Sequence, residues 1–177
     1  MQSALFATVL WLVSINVFAD EITGRVVALA DGDTITVLDA SNTTYKIRLS
    51  GIDAPEKSQP FGKQSKQSLA AMVLHKTVLI DYNKRDKYQR IVGKVLLDYK
   101  DINLEQIKRG LAWHYKQYEN EQELIDRSVY AYHEYAAKHE RRGLWSDKNP
   151  IAPWLFRKKG VVTVVESDGI DLEKTVP

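Results

Sequence analysis

Three short segments of the chain concentrate charged side chains that are costly to hold together unless they perform chemistry. The first is residues 31–34 (DGDT), the second is residues 48–56 (RLSGIDAPE), and the third is residues 86–90 (DKYQR). Each segment alone is typical of a turn or of a solvated loop. Their occurrence together, in this order and beside predicted strands, indicates a functional site rather than three unrelated loops.

Two aspartates in the first two segments have the chemistry to hold a divalent cation. Asp33 lies on the first turn, and Asp53 lies on a turn that contains Pro55. Hard cations such as Ca²⁺ take oxygen ligands from carboxylates, backbone carbonyls and water. Glu56 follows shortly after Asp53, so one carboxylate can hold a metal while the other acts on water. This arrangement requires the strands that carry Asp33 and Asp53 to lie side by side.

Two arginines flank these carboxylates in the sequence. Arg48 lies on a predicted strand, and Arg90 follows the basic loop of the third segment. A guanidinium group is a planar fork of donors that can bind two phosphate oxygens at once, which a lysine cannot do. The arginines therefore favour an anionic, phosphate-containing ligand.

The elements that must position these residues can be predicted from periodicity and turn chemistry. Alternating β-branched and polar residues predict five short strands at residues 22–29, 34–38, 45–49, 78–80 and 91–97. Apolar residues at helical spacing predict helices at residues 64–75, 102–111 and 121–142. This order of elements indicates an α+β protein built on a five-stranded OB-type Greek-key β-barrel with three helices.

The last of these helices has a candidate buried face. Ile125, Val129, Tyr132 and Ala136 recur at helical spacing on one face, and the aromatic residues are expected to line the core or a groove wall. The same helix carries His133 and His139, but six positions separate them, so they lie on different faces. A metalloprotease helix needs its two histidines four positions apart, which excludes that function.

The ends of the chain differ from its centre. Residues 1–19 lack charged side chains and are mostly apolar, with small residues before Asp20, which is typical of a secretory signal peptide. A retained membrane anchor is the alternative, although the apolar run is short for a spanning helix. We expect a domain at residues 20–159, a tail at 160–177 that begins with valines and ends acidic, and export to the periplasm or the medium.

Composition narrows the possible functions further. The 177 residues carry a formal charge of only +2, which names no partner by itself. Cysteine is absent, which excludes disulfide scaffolds, thiolate metal sites and cysteine nucleophiles.

The order of motifs resembles the thermonuclease (staphylococcal nuclease) family over residues 22–147. The matching segments are the three described above together with residues 110–112 (GLA) and 143–145 (GLW). The resemblance implies the five-stranded OB barrel with three helices and a Ca²⁺-dependent endonuclease that hydrolyses phosphodiester bonds in DNA and RNA with little sequence preference. Mg²⁺ or Mn²⁺ are possible replacements for Ca²⁺.

The resemblance also implies a role for each matching residue. The implied metal ligands are the carboxylates of Asp33 and Asp53 and the carbonyl of Ala54. The implied catalytic residues are Arg48, Arg90 and Glu56, the last of which orients or deprotonates the attacking water. The implied substrate contacts are Lys87, Tyr88 and Tyr115. One departure from the best-known member is Ala54 in place of a threonine, where only the backbone carbonyl is needed.

Two other functional classes stay open at this point. An OB-type domain can bind nucleic acid without cutting it, and the apolar N-terminus could tether a surface protein to a membrane. For the nuclease, DNA and RNA are the expected partners, no stable protein partner is implied, and a monomer is expected. No lasting membrane association is expected if the signal peptide is cleaved.

Overall fold

The structure is a computed structural model that describes residues 20–158. The predicted signal peptide at residues 1–19 and the predicted tail at 160–177 lie outside these residues. Among residues 20–158, no helix combines the length and the apolar character needed to cross a bilayer.

The described part of the chain contains eight strands, three α-helices and a further short helix near its end. The strands are β1 (Asp20–Leu29), β2 (Thr34–Asp39), β3 (Thr44–Leu49), β4 (Ile52–Asp53), β5 (Thr77–Arg85), β6 (Ile91–Leu97), β7 (Lys100–Asp101) and β8 (Trp113–His114). The helices are α1 (Gly62–Val73), α2 (Ile102–Lys108) and α3 (Leu124–His139). Short 3-10 helices cover Lys116–Glu121 and Gly143–Ser146, and residues 153–158 are helical.

Five of the strands close into a barrel, as predicted. Antiparallel pairing gives the order β3-β2-β1-β5-β6, and parallel pairing of β3 with β6 closes the ring. Closure leaves none of the five strands with a fully unpaired edge. The OB-type α+β barrel with helices is therefore confirmed.

The barrel interior follows from the alternation of side chains along the strands. Inward positions carry aliphatic residues that are fully buried, including Val26, Ile35, Ile47, Ile80 and Val95. Successive side chains in a strand point to opposite faces, so this alternation places the apolar set inside. The same alternation leaves polar side chains such as Arg48 outside the core.

Three two-residue strands, β4, β7 and β8, were missed by the sequence prediction. β4 pairs antiparallel with β8, so that Asp53 lies opposite Trp113. β7 extends the sheet beyond β6 through the pairing of Leu96 with Asp101. Two-residue strands are too short to show an alternating pattern, so sequence periodicity cannot find them.

The predicted inward face of α3 is wrong for two of its four residues, while Val129 and Ala136 are half-buried. Ile125 and Tyr132 are 77% and 66% exposed, whereas Tyr130 and Glu134 are buried. Tyr130 donates a hydrogen bond from its hydroxyl to Asp101 over 2.7 Å. Glu134 accepts from the backbone N–H of His114 and pairs with Lys116 and Lys138. These polar partners compensate the burial of Tyr130 and Glu134, which apolar periodicity alone does not detect.

Candidate active site

All nine residues singled out from the sequence line one groove of about 810 Å³ beside the start of β2 and the end of β3. They are Asp33, Arg48, Asp53, Ala54, Glu56, Lys87, Tyr88, Arg90 and Tyr115. Several of them contact one another directly, and the others approach the groove from separate loops.

Asp33 is the residue immediately before β2, and contacts with two neighbouring segments hold it in place. Its backbone carbonyl accepts from the Leu49 N–H over 2.8 Å, which joins the start of β2 to the end of β3. Its Oδ2 accepts from the backbone N–H of Ala54 over 2.7 Å. Burial raises the pKa of Asp33 to about 7, and Asp31 and Asp53 add to the rise while Arg48 opposes it. The carboxyl is therefore costly to ionise without a nearby cation.

A glycine beside Asp33 permits this close approach. A Cβ on Gly32 would lie 1.9 Å from Ser65 Oγ and 2.9 Å from the Cβ of Ala54. Gln106 on α2 also donates from Nε2 to the Gly32 carbonyl over 2.9 Å. The missing side chain lets the turn pack against α1 and the turn after β4 at once.

Arg48 bridges the two aspartates that the sequence assigns to the metal. One terminal nitrogen, Nη2, lies 2.9 Å from Asp53 Oδ1 and 3.2 Å from Asp33 Oδ2. The other, Nη1, donates to the carbonyls of Leu49 and Ile52, each over 2.9 Å. Asp33, just before β2, and Asp53, on β4, therefore contact one guanidinium group, although β2 and β4 belong to different sheets and do not pair as the sequence argument required.

Asp53 is positioned by the β4–β8 pairing and is almost fully buried. Its carboxylate is 2% exposed and faces both Arg48 and Arg157. Burial raises the pKa of Asp53 above its usual range, although the two guanidinium groups oppose that rise. The carboxylate thus depends on cations for its charged form.

Glu56 lies at the rim of the groove on a turn that is fixed by Gln59. The Glu56 N–H donates to Gln59 Oε1 over 3.1 Å, and the Glu56 carbonyl accepts from the Gln59 N–H over 2.9 Å. The Glu56 carboxylate is 36% exposed, so water can reach it. This exposure suits a group that acts on water better than a buried structural acid.

Arg90 comes from the loop between β5 and β6 and is held by Asp86. Its Nε and Nη2 lie 2.8 Å and 2.7 Å from Asp86 Oδ2. Partial burial works against ionisation of Asp86, but these bonds outweigh it and hold the pKa of Asp86 below its usual range. Lys87 and Tyr88 extend from the same loop, and the Tyr88 ring is 68% exposed. The loop thus presents a fixed guanidinium and an exposed aromatic side chain to the groove.

Tyr115 belongs to a set of aromatic residues at the other side of the groove. Its ring stacks on Trp154 with centroids 5.4 Å apart and an interplanar angle of 18°. Tyr118 meets the same ring edge-on at 4.9 Å. Tyr115 is therefore half-buried and already stacked on one face.

Arg157 is a site residue that the sequence reasoning missed. Its side chain pairs with Asp53 and Glu56 from the helical residues 153–158, which fold back over the groove. These partners lie 104 and 101 positions away in the sequence. No local pattern signals such a contact, because Arg157 stands in a short basic run that looks like a solvated end.

The donor chemistry of the groove fits a hard divalent cation. Asp33, Asp53 and the backbone of Ala54 offer only oxygen ligands, which Ca²⁺, Mg²⁺ and Mn²⁺ prefer. Three carboxylates, Asp33, Asp53 and Glu56, face only two guanidinium groups, those of Arg48 and Arg157, so an added cation would find incompletely neutralised charge. Within residues 20–158, no three His, Asp or Glu side chains gather as ligands around one point. Asp33 and Asp53 converge on Arg48, while Glu56 faces Arg157.

Comparison with known proteins gives the family of the chain. A family model described as "Staphylococcal nuclease homologue" matches residues 46–147. A Haemophilus influenzae protein named "Uncharacterized endonuclease" is 42% identical over 137 residues, which cover 77% of this chain and 74% of the relative. An Escherichia coli protein with the same name is 40% identical over 152 residues, or 85% of this chain and 95% of the relative.

A third relative carries a more specific name. The "Micrococcal nuclease" of Shigella flexneri is 37% identical over 164 residues, which cover 88% of this chain and 91% of the relative. The matched family region contains the groove residues from Arg48 to Tyr115. The chain belongs to the staphylococcal nuclease family, a family of nucleic-acid hydrolases.

Proposed function

We propose that this chain is a calcium-dependent endonuclease that hydrolyses phosphodiester bonds in DNA and RNA with little sequence preference. The observation that carries the proposal is the bridge that Arg48 makes between Asp33 and Asp53 within the groove. It joins two potential metal ligands to a phosphate-binding guanidinium in one small volume. Family membership supports the nuclease activity, and the donor set supports the metal.

Asp33, Asp53 and the Ala54 carbonyl are the residues that would hold the metal. A bound divalent cation would supply Lewis-acid stabilisation of the negative charge that builds on the phosphate oxygens. Mg²⁺ and Mn²⁺ share the preference for oxygen ligands, so the same residues would accept them as alternatives.

The two arginines neutralise the phosphate from opposite segments. Arg48 is 13% exposed and is anchored by two backbone carbonyls, so its position is fixed before substrate arrives. Arg90 is fixed by Asp86 on a separate loop. Preorganised donors of this kind typically contribute about 10²–10³ in rate each.

Glu56 orients or deprotonates the attacking water. It is the most exposed of the three groove carboxylates that the sequence singled out. A positioned general base contributes about 10²–10⁴ in rate. Proton transfer to Glu56 accompanies in-line attack of water on phosphorus. The P–O bond to the sugar breaks on the opposite side, and the leaving oxygen takes up a proton from water.

Substrate binding is expected to depend on charge and stacking rather than on base identity. Lys87 provides a phosphate contact, and Tyr88 and Tyr115 provide rings for unpaired bases. Stacking tolerates any base, because every base has an aromatic face. Frayed or single-stranded regions are therefore the expected preferred substrate.

Export completes the proposal. Residues 1–19 have the features of a cleaved signal peptide, so the mature enzyme is expected to begin near Asp20 and to act in the periplasm or the medium. Mass spectrometry of the N-terminus after expression in a secreting host tests this directly. A mature chain that retains Met1 would overturn it.

Digestion of plasmid DNA and of total RNA in a metal series tests the enzymatic proposal. We expect cleavage of both substrates with Ca²⁺, none with a chelator, and internal fragments from the start of the reaction. Glu56→Gln should keep Ca²⁺ binding but slow cleavage about 10²-fold or more. Binding of both nucleic acids without cleavage would instead support an OB-type binding module.

A further inference from the structure

The residues that follow the family-matched region fold back onto the active site. Gln59 Nε2 donates to the Ile151 carbonyl over 2.6 Å, which ties this segment to the turn that carries Glu56. Ala152 is buried, and Trp154 stacks on Tyr115. Residues 149–158, here called the C-terminal strap, are therefore packed against the groove through several contacts.

The strap places Arg157 directly on two carboxylates of the site. Arg157 Nη2 lies 2.9 Å from Asp53 Oδ2, and Nη1 lies 3.3 Å from Asp53 Oδ1. Nη1 also lies 2.7 Å from Glu56 Oε1. Because Arg48 already contacts Asp53 Oδ1, both oxygens of Asp53 are engaged by guanidinium groups.

We propose that Arg157 is a tethered counter-ion that occupies Asp53 and Glu56 in the metal-free protein and that a divalent cation must displace it. Arg157 would thereby set the metal affinity of the site. The inference rests on the proposed metal dependence, and it adds a residue outside the matched segment of residues 46–147.

The displacement follows from the space and charge at Asp53. A Ca²⁺ ligand oxygen lies about 2.3–2.6 Å from the ion, so a cation on Asp53 Oδ2 would stand next to the positive charge of Arg157. Two cations at such a separation repel each other strongly in a partly buried site. One of them has to leave or move away.

Arg157 is the guanidinium that can move. Its side chain is 43% exposed and its charge is held by carboxylates alone, whereas Arg48 is 13% exposed and also bonded to two backbone carbonyls. The strap is held by Ile151, Ala152 and Trp154, so a rotation of the Arg157 side chain alone would free Asp53 without disturbing β4. Arg48 stays in place to bind phosphate.

Isothermal titration of Ca²⁺ into wild type, Arg157→Gln and Lys158→Gln tests the proposal. Lys158→Gln is the matched control, since it removes the same charge from the neighbouring exposed position. We expect Arg157→Gln to bind Ca²⁺ about three- to tenfold more tightly than wild type, and Lys158→Gln to change the affinity by less than about twofold. Circular dichroism and an unchanged stoichiometry establish that each variant is folded.

The possible outcomes separate this inference from the proposed function. Wild type that binds Ca²⁺ and Arg157→Gln with equal or weaker affinity would overturn the inference while leaving the metal dependence intact. Weaker binding would mean that Arg157 holds the carboxylates in a metal-ready position. If neither protein binds any divalent cation, the metal dependence is wrong and the inference falls with it.

Discussion

At the scale of single residues, Arg90 shows how a guanidinium is prepared for a phosphate. Asp86 holds the Arg90 side chain through two nitrogens. We expect Arg90→Lys to lower kcat on denatured DNA by about 10²–10³, because an ammonium group cannot bridge two phosphate oxygens. Arg48→Lys should have a similar effect for the same reason.

Arg85→Lys is the matched control for this prediction. Arg85 lies on the same hairpin and donates to the Gln89 carbonyl over 3.1 Å, but it does not line the groove. Its replacement should leave kcat within about twofold of wild type. Near-native turnover by Arg90→Lys would refute the role of Arg90.

The buried carboxyl of Asp33 predicts a pH-dependent loss of stability in the metal-free protein. The folded-state pKa is about 7, above the ordinary value of 3.8, so the folded state holds a proton that the unfolded chain releases. As pH rises from about 4 to about 7, the free energy of unfolding of wild type should fall relative to Asp33→Asn, by up to about 1.4 kcal/mol per pH unit. Above about pH 7, the difference in free energy of unfolding between the two proteins should level off.

Urea unfolding of both proteins in chelator, at pH 5 and at pH 8, measures this difference. Titrating groups that do not interact with Asp33 contribute equally to the two proteins and cancel, whereas Asp31 and Asp53 are coupled to Asp33 and contribute to the measured difference. A gap that stays constant with pH, or that shifts in favour of wild type at pH 8, would show that Asp33 is already ionised in the folded state.

At the scale of elements, the loop between β5 and β6 works as one unit through Asp86. Its Oδ1 accepts from the backbone N–H groups of Tyr88 and Arg90 over 2.9 Å and 3.0 Å, while its Oδ2 holds the Arg90 side chain. Asp86→Ala should therefore misplace Arg90 and lower kcat about tenfold or more. Calcium affinity should be unchanged, because Asp86 is not among the proposed ligands.

Calcium titration and steady-state kinetics on the same Asp86→Ala preparation test whether kcat falls while calcium affinity stays unchanged. Rescue by added formate or acetate, which can replace the missing carboxylate, would support a positioning role. A parallel loss of calcium binding would mean that the loop shapes the metal site itself.

The elements also show where sequence reasoning succeeds and where it stops. β1, β2 and β3 were predicted because alternating residues and turn residues are local signals. The side of α3 that packs inward was not predicted, because Tyr130 and Glu134 are buried through polar partners on other elements. Burial of polar side chains depends on tertiary contacts that no single segment encodes.

In the candidate site, too, local sequence signals could be found and distant contacts could not. The motifs around Asp33, Arg48 and Asp53 predicted one groove, and the structure brings these side chains into contact. Arg157 could not be found in this way, since its partners lie more than a hundred positions away. Local motifs identify the chemistry, but only the folded chain shows which distant residue completes it.

At the scale of the whole molecule, charge is distributed unevenly along the groove. Lys84 is paired with Glu121, and Lys94 is paired with Asp126, so these two lysines are less available to bind phosphate. Lys87 forms no ion pair among the described residues and lies on the rim. The substrate backbone is therefore expected to follow the loop of residues 86–90.

Binding of an inactive variant to single-stranded DNA should weaken as salt rises, because phosphate contacts release counterions. Lys87→Gln should reduce the slope of log Kd against log salt by about 1, and should do so equally for different sequences. Lys100→Gln, an exposed lysine outside the groove, serves as the control. An unchanged slope for Lys87→Gln would mean that the substrate phosphates do not contact Lys87.

The most direct test of the site is cleavage of a labelled oligonucleotide by wild type and by Asp33→Asn/Asp53→Asn, with Ca²⁺ and with chelator. We predict that wild type cleaves only with Ca²⁺ and recovers when Ca²⁺ is restored, while the folded double variant is slower by about 10² or more. Undiminished cleavage in chelator, or wild-type rates for the double variant, would contradict a metal-dependent nuclease centre at these carboxylates.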